Sequence, residues 1–200
     1  VNIEIFRGCT RGCRFCQAGM TMRPVRERAA GSVVMMADEL TRGTGYDEVS
    51  LCSLSSTDYT RIADVAGRIT DLCEGRHIDL SLPSLRMDGG SAKLAARVDR
   101  GGRGGLTFAP EAGSDRLRKA INKDIDQADM VAAVINSVSA GRRRIKLYFM
   151  IGLPGETDED VGAISRLVFS LRDAVKAEGL VPPSFNVSVA TFVPKPHTPF

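Results

Sequence analysis

The stretch RGCTRGCRFCQAG, Arg7 to Gly19, places three cysteines within eight positions, at Cys9, Cys13 and Cys16. Spacings of four and three would align them along one face of a helix. Gly8 and Gly12 argue against that, because two glycines among five residues weaken a helix and suit a loop that wraps closely around an object. Three clustered thiols match neither a disulfide pair nor the four-ligand shell of structural zinc. A zinc site would have to recruit Cys52, Cys73, His77 or His197 from afar. An iron–sulfur cubane also takes cysteine thiolates, and with three of them it keeps one iron open to an exogenous ligand.

Working outward, the loop is preceded by a first strand, NIEIFR (Asn2 to Arg7), and followed by an amphipathic helix, SVVMMADELTRG (Ser32 to Gly43), with Ser32 as its N-cap. EVSLCSL (Glu48 to Leu54) reads as the second strand. Tyr59 to Gly75 carries a helical stripe at Ile62, Val65, Ala66, Ile69 and Leu72 and stops at Gly75. IDLSLPSL (Ile78 to Leu85) is the third strand, with a helix near SAKLAARVDRG, and GLTFAP (Gly105 to Pro110) is the fourth. Two helices follow, a short one from Ser114 and a longer one near Asp126, where Asp126 and Asp129 have capping-box-like spacing. IKLYFMIG is the fifth strand, Thr157 to Gly179 its long helix with Thr157 as N-cap, and FNVSVATFV (Phe185 to Val193) the sixth. Six strand–helix repeats favour a parallel α/β fold, either a partial barrel or a doubly wound open sheet.

The 200 residues are 43% hydrophobic, enough for one compact core. The chain is expected to be a single core domain, residues 1–200, excised from a longer protein, since it opens inside a strand and stops after a run of prolines. Apolar runs are too short to span a membrane and no signal peptide opens the sequence. Five cysteines in this unpaired pattern point to a reducing, cytoplasmic setting. A net charge of +3 is too mild to indicate nucleic acid, although it does not rule that partner out.

The cysteine loop resembles the hallmark of the radical S-adenosylmethionine superfamily, CxxxCxΦC with Φ aromatic, filled here by Cys9, Cys13, Phe15 and Cys16. The resemblance implies a partial (β/α)6 barrel and a 4Fe-4S cluster on the three cysteines. Its open iron would chelate S-adenosylmethionine, which one electron cleaves to methionine and a 5′-deoxyadenosyl radical. Barrel active sites gather at the carboxyl ends of the strands, where this loop falls.

Other segments extend the resemblance. SLSSTDY departs from the superfamily's GGE-like segment, yet Ser55, Ser56 and Asp58 offer acceptors for the cofactor's amino group; the same cluster is also an ordinary cap. Arg86, in PSLRMD after the third strand, could pair with a carboxylate. Glu111, in PEAGS, falls where related segments of methylthiotransferases and anaerobic coproporphyrinogen oxidases meet the cofactor's ribose or methionine end. GLPGET resembles the adenine-side region, with Gly152 and Gly155 allowing close backbone approach and Pro154 stiffening the turn. Phe192 and Val193 match the adenine-contacting end of the sixth strand. Arginines around the loop, Arg7, Arg11, Arg14, Arg23, Arg26 and Arg28, could attract a phosphate-bearing substrate or an electron donor such as flavodoxin or ferredoxin.

Across the whole chain these motifs look most like the branch carrying an N-terminal cobalamin-binding domain. That domain is absent from this sequence, so cobalamin is an expectation for a longer protein. The substrate at the barrel mouth stays unnamed, because radical chemistry belongs to the cofactor and selectivity to the shape around it. A methylthiotransferase-like RNA modifier and a non-catalytic zinc or iron–sulfur module are the alternatives.

Overall fold

A computed structural model describes residues 1–82, 87 and 106–200. In chain order the elements are β1 (Asn2–Glu4), β2 (Phe6–Arg7), α1 (Gln17–Thr21), β3 (Arg26–Glu27), α2 (Ala30–Thr44), β4 (Glu48–Cys52), α3 (Ile62–Cys73) and β5 (Asp79–Ser81). They continue with β6 (Leu106–Glu111), α4 (Asp115–Ala120), α5 (Gln127–Ser139), β7 (Arg144–Ile151), α6 (Asp158–Ala177) and β8 (Ser184–Thr191).

Among the described residues six strands form two parallel sheets, β1-β4-β5 and β6-β7-β8. Each sheet keeps its strands in chain order, the arrangement of a partial (β/α)6 barrel. A doubly wound sheet would pair β1 with β6, and no such pairing occurs among the described residues. The expected helix over residues 91–101 lies outside the described residues, as do Arg86 and the segment joining β5 to β6.

Each sheet has its own core. In the first, Ile3, Val49 and Leu51 pack against Val33 and Ala37 of α2 and Val65 and Ile69 of α3. In the second, Phe108, Ile145, Leu147 and Phe149 pack against Met130 and Val134 of α5 and Leu167 and Leu171 of α6. Burial of each such side chain contributes roughly 1.5–3 kcal/mol, and together these interactions fix the helices on the outer face. The alternating residues Lys146 and Tyr148 therefore face the concave side, where the Lys146 ammonium lies 4.5 Å from the Tyr148 ring centroid. On β8, Val187 and Val189 are 39% and 48% exposed.

Two expectations are corrected. The first strand is broken: Ile5 donates its N–H to Cys52 O, while Phe6 and Arg7 leave the sheet to pair antiparallel with Glu27 and Arg26. Helix α2 begins at Ala30, before Ser32, after an extended Ala29 without a side-chain cap. Other caps stand as read. Ser114, Asp126 and Thr157 each accept a backbone N–H three residues on, and Thr157 and Asp160 complete a capping box. Gly113 is required by contact, since a Cβ there would lie 2.3 Å from Ile164 N. Among the described residues no helix is long and apolar enough to cross a membrane.

Candidate functional site

The cysteine loop leaves β2 at Gly8, whose φ of 98° and crowding against Met22 O exclude any side chain. Gly12, at φ 70°, makes the second turn. Cys16 caps α1 with its sulfur, accepting the Gly19 N–H at 3.3 Å. Hydrogen bonds to thiolate sulfur are one of the levers that set an iron–sulfur potential.

Cys9, Cys13, Phe15 and Cys16 line a cavity of about 310 Å³ at the carboxyl ends of the strands. Ser55 after β4, Met87, and Thr107, Ala109 and Glu111 of β6 line it too. Ser55 Oγ is buried without a hydrogen-bond partner, as is Thr57 Oγ1 nearby in sequence. A buried orphan hydroxyl costs roughly 1–3 kcal/mol, so its place on the cavity wall marks room for a polar ligand group.

Glu111 ends β6 with a left-handed backbone, φ 70°, a strain of about 1–3 kcal/mol that concentrates at functional sites. Burial pushes its carboxyl above the ordinary value of 4.5, and Lys123, 3.6 Å away, offsets part of that. Both side chains are about 85% buried, with 14% and 15% exposed. The cavity thus joins three thiols, one orphan hydroxyl and one buried carboxylate with its ammonium partner.

Of the other sequence-derived candidates, Ser56 is buried and donates to Leu51 O while meeting Ser53 Oγ, so it braces the loop rather than facing the cavity. Asp58 binds the Arg11 guanidinium from the cysteine loop through both oxygens. Gly152 and Gly155 adopt φ 84° and 76°, Glu156 accepts the Gly152 N–H, and Arg116 donates to Gly155 O at 2.9 Å. Gly152, Pro154, Gly155, Phe192 and Val193 lie outside the lining of the cavity, although Phe192 and Phe15 pack on the same small cluster of Ala112, Leu117, Ile121 and Leu153. Phe192 also donates its N–H to Ile151 O, and Val193 is exposed. Arg86 lies outside the described residues.

Residues that pattern reading passed over hold the site together. Lys123 and Asn122 follow α4, and Arg118 is fully buried, donating to the carbonyls of Ala112, Gly113 and Ile125. Asn122, at φ 56°, points its amide at Arg11 O and Gly12 O. An Asn-Lys pair just past a short helix is the available signal, since Asn tolerates left-handed backbone.

Among the described residues no three His, Cys, Asp or Glu converge as a single ion would require. The three cysteines instead line one larger cavity, a donor set suited to a cluster whose irons each take a different thiolate. The residues fit the groups expected from the loop.

Known proteins agree. The family model of the Radical SAM superfamily matches residues 3–168, and the chain belongs to that superfamily. Its members are enzymes that use a 4Fe-4S cluster and S-adenosylmethionine. An uncharacterised protein, MJ0966 of Methanocaldococcus jannaschii, is 36% identical over 198 residues, covering 99% of this chain and 41% of that protein. Threonylcarbamoyladenosine tRNA methylthiotransferase MtaB of Treponema pallidum is 27% identical over 180 residues, 86% of this chain and 36% of that protein. The chain therefore spans about two fifths of the length of these relatives. Among solved structures, the radical S-adenosylmethionine methyltransferase TsrM from Kitasatospora setae, with cobalamin and a [4Fe-4S] cluster bound, superposes with TM-score 0.73 at 16% identity, covering 99% of this chain and 35% of TsrM. The cobalamin-dependent radical enzyme OxsB gives 0.69 at 14% identity, covering 99% and 34%.

Proposed function

We propose that this chain is the S-adenosylmethionine-cleaving core of a radical enzyme, with the cluster held by Cys9, Cys13 and Cys16, and that the complete protein also uses cobalamin. One observation carries the reading: three thiols, the orphan Ser55 hydroxyl and buried Glu111 line a single cavity at the strand ends. When bound, the cluster and cofactor supply one-electron cleavage of the sulfonium to methionine and a 5′-deoxyadenosyl radical.

The chain's own residues bind, orient and shield. Ser55 Oγ is an acceptor for the cofactor's amino group, and Glu111 for ribose hydroxyls. Lys123 offsets part of the cost that burial places on that carboxylate's charge. Phe15, packed on Leu117 and Ile121, closes the apolar side against water. Gly152 and Gly155, with Phe192 and Val193, form the adenine-side backbone. An unidentified substrate enters at the barrel mouth, and a flavodoxin or ferredoxin in a reducing, cytoplasmic compartment supplies the electron past the exposed Arg7 and Arg26. Cobalamin use is supported by the likeness to TsrM and OxsB.

A second reading, a tRNA methylthiotransferase, draws on the similarity to MtaB across 86% of the chain. Cobalamin bound to the purified full-length protein favours the first; methylthiolated tRNA with no cobalamin favours the second.

Anaerobic reconstitution tests the core. About four irons and four sulfides per chain are expected, with dithionite-dependent release of methionine and 5′-deoxyadenosine. Replacement of any one of Cys9, Cys13 or Cys16 by Ala is expected to abolish cleavage and leave the far-UV circular dichroism unchanged. A cluster-loaded protein that cannot cleave the cofactor overturns the reading, and zinc at one per chain without iron or sulfide points to a binding module.

A further inference from the structure

The segment between Cys9 and Cys13 carries no regular secondary structure, yet two of its carbonyls, at Arg11 and Gly12, are held by a side chain. Asn122 Nδ2 donates to Arg11 O at 3.1 Å and to Gly12 O at 2.9 Å, one amide group spanning two consecutive peptides. Immediately beside it, Arg14 N–H donates to Ile121 O at 2.9 Å and the Arg14 guanidinium to Ala120 O at 2.5 Å. The loop in turn supplies donors to carbonyls at the end of α4, where a helix has none of its own and where positive charge is favoured. Loop and helix end therefore satisfy each other.

Two backbone features make the contact possible. Gly12 has φ 70°, a left-handed backbone that favours glycine, and it turns the loop beside Asn122. Asn122 is itself left-handed, φ 56°, which ends α4 and turns consecutive side chains apart. Its own amide goes to the cysteine loop, while Lys123 goes to Glu111 on the cavity wall. One dipeptide thereby touches both the thiol-bearing loop and the buried carboxylate.

We infer that Asn122 is a positioning residue for the cysteine loop, clamping residues 11–12 so that Cys9 and Cys13 are held ready before any cluster is assembled. The inference rests on the reading of these cysteines as cluster ligands, but the clamp is a property of the chain alone and can be measured without iron. Without the amide, Arg11 O and Gly12 O turn to water and the loop opens more often. Loss of two hydrogen bonds raises the open population on the order of tenfold.

The test uses two variants. Asn122→Gly keeps the left-handed backbone and deletes the amide; Asn122→Asp keeps the shape and sets acceptor oxygens against two carbonyls. Reduced, metal-free protein is treated with iodoacetamide, and alkylation of each cysteine is followed by peptide mass spectrometry, with Cys52 of β4 as internal reference. Alkylation of Cys9 and Cys13 is expected to quicken about tenfold relative to Cys52 in both variants, with the thermal midpoint of Asn122→Gly lowered by no more than a few degrees. After reconstitution, both variants should surrender iron to a chelator faster than the wild type. Unchanged alkylation ratios and unchanged iron loss in Asn122→Gly overturn the inference. Should the wild type fail to load iron at all, the cluster reading falls while the alkylation result still decides the clamp.

Discussion

Burial makes the charge on Glu111 costly to the folded chain. Its carboxyl is raised above the ordinary 4.5 by burial, so the folded state holds its proton longer than the unfolded state does. Stability attributable to this residue is therefore greatest below pH 4.5 and declines as pH rises from there through the raised folded value. In urea titrations at several pH values, the wild type is expected to lose ground to Glu111→Gln as pH rises above 4.5, and a parallel pair of curves would contradict this. At this scale the thiols were visible as candidates because their spacing is local, and Glu111 because PEAGS is contiguous. Asn122 and Lys123 were not. The Asn122 contact to Gly12 joins residues 110 positions apart, and it depends on a left-handed turn that no periodicity reveals.

Between elements, the tightest constraint is the approach of α6 to the end of β6. A methyl group at Gly113 would sit 2.3 Å from Ile164 N and 2.5 Å from Ala163 C, both backbone atoms that cannot swing away. Gly113→Ala is expected to cost about 1–3 kcal/mol in chemical denaturation, as overpacking does, and to displace Ser114, whose hydroxyl reaches Asp160 at the start of α6. The caps of α4, α5 and α6 could be read directly, because a cap is a side chain answering the backbone three residues away. The start of α2 could not, since Ala29 makes no side-chain cap bond and only the chain's path sets the boundary. Nor could the break at Ile5: an alternating pattern records which face is buried, and it is silent on a change of partner strand.

At the scale of the molecule, the described residues form two three-stranded parallel sheets, each with its own core, and the cysteine loop meets the end of α4 across them. The parallel sense of the six sheet strands among the described residues followed from alternation with helices, whereas the choice between barrel and open sheet needed the pairing itself. Leu147 lies at the centre of the second half, fully buried, and Leu147→Ala is expected to lower unfolding free energy by about 2–5 kcal/mol.

Strand β8 carries a different consequence. It is eight residues long, pairs with β7 on one side, and among the described residues has no strand on its other side. With Val187 and Val189 exposed, it presents a ready template for edge-to-edge association of like chains. Light scattering of this chain should show self-association that grows with concentration, and Val189→Lys is expected to suppress it, a lysine being a common natural guard of such an edge.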